Sequence, residues 1–216
     1  MAGSHPAPLS AKAGSSPGNS FWAKSQIKAA ERARRHGHAG RVIWFTGLSG
    51  AGKSTLAIAL ERRLFDAGRQ VYLLDGDNLR HGLCADLGFS TGGRTENIRR
   101  ASEVARLFAD AGLICLAAFI SPRLADREHA RRLLPPRGFI EVFVNTPIEV
   151  CRQRDPKGLY ARADRGEIAE FTGVSAPYEA PPNPEITLRT DLDSVETCIG
   201  RILSYLGHLE PPAAAH

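Results

Sequence analysis

The sequence predicts a single α/β domain with a doubly wound, five-stranded parallel sheet, and three observations favour this fold. Five short apolar runs alternate with helical patterns along the chain, an arrangement typical of a parallel sheet with helices on both faces. A glycine-rich loop lies between the first apolar run and the helical pattern that follows it. The length of 216 residues suits one such domain better than two.

The N-terminal part differs in composition from the rest of the chain. Residues 1–20 are rich in Gly, Ser, Pro and Ala and lack the apolar core of a signal peptide, so we expect a disordered tail. A basic, moderately amphipathic pattern predicts a helix over residues 21–37. We therefore divide the chain into the tail, an N-terminal basic helix at 21–40, and one domain at 41–210.

The elements of the domain follow from apolar runs, capping residues and chain breakers. The predicted strands cover residues 41–46, 70–77, 113–121, 139–145 and 186–190. The predicted helices cover residues 53–66, 95–112, 122–134, 146–155 and 193–207. Thr95 and Thr146 are the predicted N-caps of two helices, and Pro122 suits the first position of a third. Residues 156–185, rich in Gly and Pro, are too long for a simple connection and are typical of a functional lid.

The loop after the first strand, GLSGAGKS at residues 47–54, matches the phosphate-binding pattern G-x-x-x-x-G-K-[ST] between a strand and a helix. Its backbone N–H groups point at an anion, and the helix dipole assists them. Lys53 can reach the β- and γ-phosphates, and the Ser54 hydroxyl can bind Mg²⁺. The loop therefore predicts a P-loop kinase fold that binds ATP. The candidate ATP ligands are Gly47, Leu48, Ser49, Gly50, Ala51, Gly52, Lys53, Ser54 and Thr55.

Composition limits the classes of partner. The four cysteines are scattered without C-x-x-C spacing, which indicates reduced thiols in a cytoplasmic protein. No apolar run approaches the length of a membrane span. The net charge is +5, but the arginines are interleaved with acidic residues. This pattern favours small phosphorylated or sulfated ligands over nucleic acid, since guanidinium groups pair bidentately with such anions.

Two carboxylates follow the second strand. Asp75 and Asp77 can bind Mg²⁺ through water or orient an attacking hydroxyl, since phosphoryl transfer depends mainly on positioning and charge neutralisation. The sequence DGDN is also a common turn. Beside a phosphate loop we favour the functional interpretation, with Asp77 ahead of Asp75.

A second group of polar and aromatic residues suits another anionic ligand. Arg80, Arg94 and Asn97 lie near the exit of the second strand and can hold an anion distinct from the nucleotide. Phe89 and Phe171 lie in polar, glycine-containing segments, where a ring either stacks on a nucleobase or anchors the loop to the core. Both interpretations stay open at this point.

Three further candidates have structural alternatives. Ser121 ends the third strand, where its hydroxyl binds a phosphate or caps the next helix, and the residues alone favour the cap. Arg154 stacks on adenine or contacts phosphate, unless it only balances the C-terminal dipole of its helix. Lys157 reaches substrate from the lid, unless it is a solvated lysine.

The chain resembles the adenylyl-sulfate kinase family over nearly all of residues 41–190. The stretches that carry the resemblance are WFTGLSGAGKSTLA, LDGDNLRHGL, DLGFS, RTENIRR, FISP, RDPKGLYARA and FTGVSAPYEAPPNPEITLRT. The resemblance implies transfer of the ATP γ-phosphoryl group to the 3′-hydroxyl of adenosine 5′-phosphosulfate (APS), with Mg²⁺ required. It also implies a lid over about 156–180 and a homodimer. A separate ATP sulfurylase is a candidate partner.

The resemblance assigns roles by matching position. Asp77, Lys53 and Ser121 are then catalytic-site residues, Asp77 near the attacking hydroxyl and near Mg²⁺ through water. The implied APS ligands are Asp77, Arg80, Phe89, Arg94, Asn97, Ile120, Ser121, Lys157, Leu159 and Phe171, with Arg154 on the nucleotide. Two alternatives remain: a P-loop kinase for another small hydroxyl acceptor, and a nucleotide-binding regulatory module without catalysis.

Overall fold

The computed structural model describes residues 25–209. Its strands are β1 Arg41–Thr46, β2 Val71–Asp75, β3 Ile114–Ala118, β4 Phe139–Val144 and β5 Ile186–Leu188. They form one sheet in the order β2-β3-β1-β4-β5, and all neighbouring strands are parallel. The predicted five-stranded parallel sheet is confirmed. The predicted tail at 1–20 lies outside the described residues.

Helices connect the strands. They are α1 Ala29–His36, α2 Lys53–Asp66, α3 Gly76–Arg80, α4 Thr91–Asp110, α5 Leu124–Arg132, α6 Ile148–Arg154, α7 Leu159–Asp164 and α8 Val195–Leu209. Between residues 25 and 209, no helix combines the length and apolar character that a bilayer span requires. The four cysteines are free and buried.

The core lies on both faces of the central strand β1, whose six residues are all buried. Successive side chains of a strand point to opposite faces. Ile43 and Phe45 accordingly pack with residues of α2 and α8 in one apolar cluster, while Val42 and Trp44 pack with residues of α4 and α5 in another. The doubly wound arrangement places the loop after β1 at the middle of the sheet's carboxyl edge.

Three predicted helix starts are wrong, and only the first of these helices has an N-cap residue whose side chain caps it. α4 begins at Thr91 because the Ser90 hydroxyl accepts the Gly93 N–H at 3.2 Å, so Thr95 lies inside the helix. α5 begins at Leu124, so Ser121 caps no helix. α6 begins at Ile148 after Pro147, and Thr146 instead donates to the Ala51 carbonyl at 3.1 Å, inside the phosphate loop. This last bond ties the start of α6 to the nucleotide side of the site.

The N-terminal helix is shorter than predicted. Residues 25–28 are not helical, and residues 21–24 lie outside the described part of the chain. α1 begins at Ala29 because the Glu31 carboxylate accepts the Lys28 N–H at 3.0 Å and fixes the first turn. The helix ends at Gly37, whose left-handed φ of 70° is typical of a C-cap.

Candidate active site

The loop at residues 47–52 is shaped by its glycines and by close packing. Gly47 and Gly50 have φ values of 149° and 75°. A Cβ atom would lie 2.5 Å from the Val144 carbonyl oxygen at Gly47, and 2.8 Å from the Cys151 carbonyl oxygen at Gly50. Only glycine fits this backbone path. The loop is therefore held between the ends of β4 and α6.

Lys53 is enclosed by the loop that precedes it. Its side chain is buried, and its Nζ atom donates a hydrogen bond to the Leu48 carbonyl at 2.8 Å. Burial lowers the pKa of Lys53 to about 8, because desolvation disfavours the charged ammonium. The loop thus closes around a cation at the start of α2, where an anion is favoured.

Oxygen atoms of the type that binds metal ions lie close together beside Ser54. The Ser54 hydroxyl donates to Asp75 Oδ2 at 2.7 Å, and the Asp77 N–H donates to Asp75 Oδ1 at 2.9 Å, capping α3. The sequence ranked Asp77 ahead, but Asp75 is the carboxylate that contacts the loop. Among the described residues, no three or more His, Cys, Asp or Glu side chains cluster as a metal cage. A hydroxyl and a carboxylate suit Mg²⁺, which usually completes its shell with water and substrate phosphates.

Asp77 points to the predicted lid segment at residues 156–180. Its carboxylate forms an ion pair with Lys157, and both side chains are more than half exposed, at 64% and 58%. Lys157 lies just before Gly158, whose φ of 63° starts the short helix α7. The structure therefore brings together two predicted site residues that are 80 positions apart.

The α3 helix also carries Arg80, which reaches the second ligand region. The Arg80 guanidinium lies 4.2 Å from the centroid of the Phe89 ring and donates to the Leu87 carbonyl at 3.2 Å. Phe89 is 65% exposed. A ring held by a cation and open to solvent on its other side is available for stacking.

Arg94 joins this loop to the lid segment. Its Nε atom donates to the Phe89 carbonyl at 2.8 Å, and its terminal nitrogens donate to Thr172 Oγ1 at 3.1 Å and to the Glu170 carbonyl at 2.7 Å. Partial burial lowers the pKa of Arg94 from its ordinary value. The predicted anion ligand is thus also a crosslink between two distant segments.

The remaining candidate side chains on α4 are either buried or paired with carboxylates. Asn97 is buried, and its Nδ2 atom has no hydrogen-bond partner among the described residues. Arg99 and Arg100 pair with Glu96 at 2.7 and 2.9 Å, and Arg100 also pairs with Asp86. These pairs lower the pKa of Glu96 to about 2. Asn97 therefore carries a buried donor without an acceptor, whereas Arg99 and Arg100 are engaged with acids.

The two predicted rings have different environments. Phe171 is buried at 6% exposure, and the edge of its ring contacts Tyr160 at 5.0 Å between centroids. Tyr160 in turn donates to the Ser49 carbonyl at 3.0 Å, and Leu159 packs against the same core cluster. The anchoring interpretation thus describes Phe171 in this structure, while only Phe89 is open to solvent. Stacking of Phe171 on substrate stays a prediction.

Ser121 is buried in a hydroxyl network. Its Oγ atom accepts from Trp44 Nε1 at 3.0 Å and donates to Thr46 Oγ1 at 3.1 Å. Thr46 donates to the Ile120 carbonyl at 2.8 Å and lies 2.9 Å from the Tyr178 hydroxyl. Its Oγ partners among the described residues are an indole N–H and a hydroxyl, neither of which is a base, so Ser121 is not activated as a nucleophile in this structure.

A cavity of about 350 Å³ opens on the other side of the phosphate loop. Arg154 borders it and donates to Thr190 Oγ1 and to the Thr190 carbonyl at 2.8 and 2.7 Å. Thr190 itself donates to the Ala51 carbonyl at 2.8 Å. The lining residues are Gly50, Gly52, Thr55, Leu56, Arg154, Pro156, Thr190, Asp193 and Val195. The site thus combines this cavity beside the phosphate loop with the exposed Phe89 ring that Arg80 contacts.

Comparisons with known proteins agree with this arrangement. The family model described as adenylylsulphate kinase matches residues 39–189. The adenylyl-sulfate kinase of Clostridium acetobutylicum is 55% identical over 188 residues, which is 87% of this chain and 94% of that protein.

Solved structures are also similar. The Mycobacterium tuberculosis APS kinase CysC, solved in complex with AMPPNP and APS, has a TM-score of 0.75 and 49% identity, over 78% of this chain and 98% of that one. A hexameric APS kinase from Thiobacillus denitrificans has a TM-score of 0.60 and 33% identity, over 83% of this chain and 32% of that one.

Proposed function

This chain belongs to the adenylyl-sulfate kinase family, and we infer from that membership and from the site that it is an enzyme that phosphorylates APS. It transfers the γ-phosphoryl group of ATP to the 3′-hydroxyl of APS and releases 3′-phosphoadenosine 5′-phosphosulfate (PAPS) and ADP. The observation that carries this function is the position of α3. Asp77 at its start lies next to Asp75 and thus to the phosphate loop, whereas Arg80 at its end holds Phe89.

On the donor side, ATP binds with its phosphates on the loop amides and Lys53. Its nucleoside occupies the cavity beside Arg154, which is of a size that suits a small molecule. Ser54 and Asp75 would hold Mg²⁺, which neutralises charge on the phosphates when bound. The buried Lys53 ammonium acts in a low-dielectric site, where it stabilises the transferring group strongly.

On the acceptor side, APS binds between Phe89, Arg80 and Arg94. The Phe89 ring stacks on adenine through its exposed face. Guanidinium groups bind the phosphosulfate end, and the unpaired Asn97 amide donates to the same ligand. The acceptor hydroxyl then reaches the edge of the sheet where Asp77 lies.

Asp77 orients the 3′-hydroxyl and accepts its proton. The hydroxyl oxygen forms a bond to the γ-phosphorus while the bond to the ADP oxygen breaks, so no covalent enzyme intermediate is needed. This direct transfer is consistent with the engaged hydroxyl of Ser121. Lys157 pairs with Asp77 from the lid. Closure of the lid excludes water, which limits hydrolysis of ATP.

Substrate choice is the direct test. Product formation is measured with ATP and one of three acceptors: APS, AMP or gluconate. We expect PAPS from APS and little or no turnover of the other two. Equal or faster turnover of another acceptor would contradict the assignment, and tight ATP binding without turnover of any acceptor would favour a regulatory module.

The resemblance also predicts a homodimer in the cytoplasm that works alongside an ATP sulfurylase. The four free and buried thiols support a reducing compartment. Oligomeric state is measured by light scattering, with a stable monomer as the contrary result.

A further inference from the structure

One buried cation lies outside the groups used above. Arg127 on α5 is 1% exposed, and its guanidinium donates three hydrogen bonds. They reach Glu141 Oε1 at 2.7 Å, the Ser121 carbonyl at 2.6 Å and the Glu179 carbonyl at 2.6 Å. A buried charge is costly unless it is paired and fully hydrogen-bonded, so this arrangement calls for an explanation.

The charge itself is balanced by Glu141. That carboxylate also accepts from Arg131 at 3.3 Å, and Arg131 pairs with Glu185 at 2.6 Å. Two arginines and two glutamates thus form a neutral cluster. Charge balance accounts for one of the three Arg127 bonds, and the other two go to backbone carbonyls of two separate segments.

The first carbonyl belongs to a constrained turn. Ser121 has a φ of 39°, which is uncommon for a residue with a side chain. Three hydrogen bonds hold the turn to Glu179. The Glu179 N–H donates to the Pro122 carbonyl at 2.8 Å, the Leu124 N–H donates to the Glu179 carboxylate at 2.6 Å, and Arg127 bonds the Glu179 carbonyl.

This turn lies between the two sides of the site. Thr46, the last residue before the phosphate loop, donates to the Ile120 carbonyl. On the other side, Ala118 is the register partner of Asp75 in the sheet. The backbone at 119–121 therefore borders both the loop and the carboxylates, although Arg127 itself is buried behind it.

We propose that Arg127 is a positioning residue for the acceptor substrate. It fixes the turn at Ile120 and Ser121 and, through Glu179, joins it to the C-terminal end of the predicted lid segment. Lysine cannot replace it, because a compact ammonium does not present the planar fork that reaches three acceptors at once. This proposal rests on the proposed function, since it assumes that APS contacts the turn.

Arg127→Lys tests the geometry while it keeps the charge. We expect the KM for APS to rise roughly tenfold or more, since hydrogen bonds to charged groups are worth more than neutral ones. The KM for ATP and the binding of AMPPNP, measured by calorimetry, should change less than about twofold, within the additivity expected of separate sites. The matched control is Glu141→Gln, which keeps an acceptor for Arg127 and should lower the melting temperature without raising the KM for APS.

A second variant covers the case in which Arg127→Lys does not fold. Arg127→Met with Glu141→Leu removes both charges of the pair, a replacement that is often tolerated, and it should show the same selective rise in the KM for APS. Equal changes for both substrates, or a selective rise in Glu141→Gln as well, would reduce Arg127 to a stability role and overturn the proposal. Failure of the wild-type protein to make PAPS would instead contradict the proposed function.

Discussion

The donor and acceptor sides of the site are built by different means. The phosphate-binding part of the donor side comes from one contiguous run, residues 47–54, whose backbone path admits only glycine at Gly47 and Gly50 and whose lysine is buried. The proposed acceptor side comes from α3, the loop around Phe89 and the predicted lid segment, joined by side-chain contacts such as the exposed pair Asp77–Lys157. We conclude that the donor side is preformed, whereas the acceptor side can rearrange at little cost, because exposed ion pairs are weak.

Asp77→Asn gives the largest expected effect and tests whether the two sides meet at this carboxylate. General-base groups contribute about 10²- to 10⁴-fold to rate, so we expect PAPS formation to fall by that order. AMPPNP binding, measured by calorimetry, should be nearly unchanged because Asp75, not Asp77, contacts Ser54.

The matched control for that variant is Asp66→Asn, which removes an exposed carboxylate paired with Arg62 on α2. It should retain full turnover. Near-wild-type kcat in Asp77→Asn would remove Asp77 from the reaction, and loss of AMPPNP binding would place it on the donor side instead.

Lys53→Met tests the preformed side directly. Removal of one stabilising donor typically lowers kcat by about 10²- to 10³-fold, and here ATP affinity should fall as well, since Lys53 lies inside the loop. Circular dichroism should show an intact fold, because Met fills the volume of the buried stem. Retention of both kcat and ATP affinity would contradict the role of the loop.

The same contrast explains what the sequence could predict. The donor side was predictable because its constraints are local: glycines that turn the chain, then Lys53 and Ser54 at the start of a helix. The acceptor side depends on contacts such as those of Arg94 with Glu170 and Thr172, which are 76 and 78 positions away. No spacing rule predicts such pairs. The fold class predicts only that these segments lie along the same edge of the sheet, and the resemblance assigns them to one ligand.

The errors have related causes. Thr95 and Ser90 both suit an N-cap, and the choice depends on which hydroxyl meets a free N–H in three dimensions. Arg127 gave no local signal, and Tyr178 was marked only as part of a stretch that carries the resemblance. The hydrogen-bond partners of both residues come from other segments. The role of Phe171 could not be predicted from its residue type, since a ring buried in the core and a ring that stacks on a base can have the same local sequence.

Phe171→Ala and Phe89→Ala sharpen the comparison between the two rings. Loss of a buried Phe side chain costs about 3–5 kcal/mol, so Phe171→Ala should lower the free energy of unfolding by this amount. Phe89→Ala should leave unfolding unchanged and raise the KM for APS by roughly tenfold, as expected for a lost base-stacking contact. Denaturant unfolding and steady-state kinetics on both variants measure the two effects.

The contrary outcomes differ for the two rings. A stable Phe171→Ala protein with weakened APS binding would restore the predicted pair of stacking rings. An unchanged KM for APS in Phe89→Ala would instead remove the exposed ring from the acceptor site, whatever the stability of Phe171→Ala.

The smallest effect is a pH dependence that separates ligand binding from stability. Burial lowers the pKa of Lys53 to about 8 in the empty site, and bound phosphates raise it again, so ADP binding takes up a proton above pH 8. ADP affinity should be flat below that pH and fall by up to about tenfold per unit above it. Calorimetry in buffers of different ionisation enthalpy measures the uptake, which Lys53→Met should lack.

The contribution of Lys53 to the stability of the unliganded protein has the opposite slope. Its pKa is lower in the folded chain than the ordinary 10.5, so the unfolded chain binds more protons between about pH 8 and 10.5. Over that window this group makes folding more favourable as pH rises. ADP affinity should therefore fall with pH while the Lys53 contribution to the free energy of unfolding rises, and both pH dependences should vanish in Lys53→Met. This result would show that the loop encloses its lysine before the nucleotide binds. If ADP binding took up no proton between about pH 8 and 10, Lys53 would have to lie in water in the empty site with its ordinary pKa of 10.5. The donor side would then be no more preformed than the acceptor side.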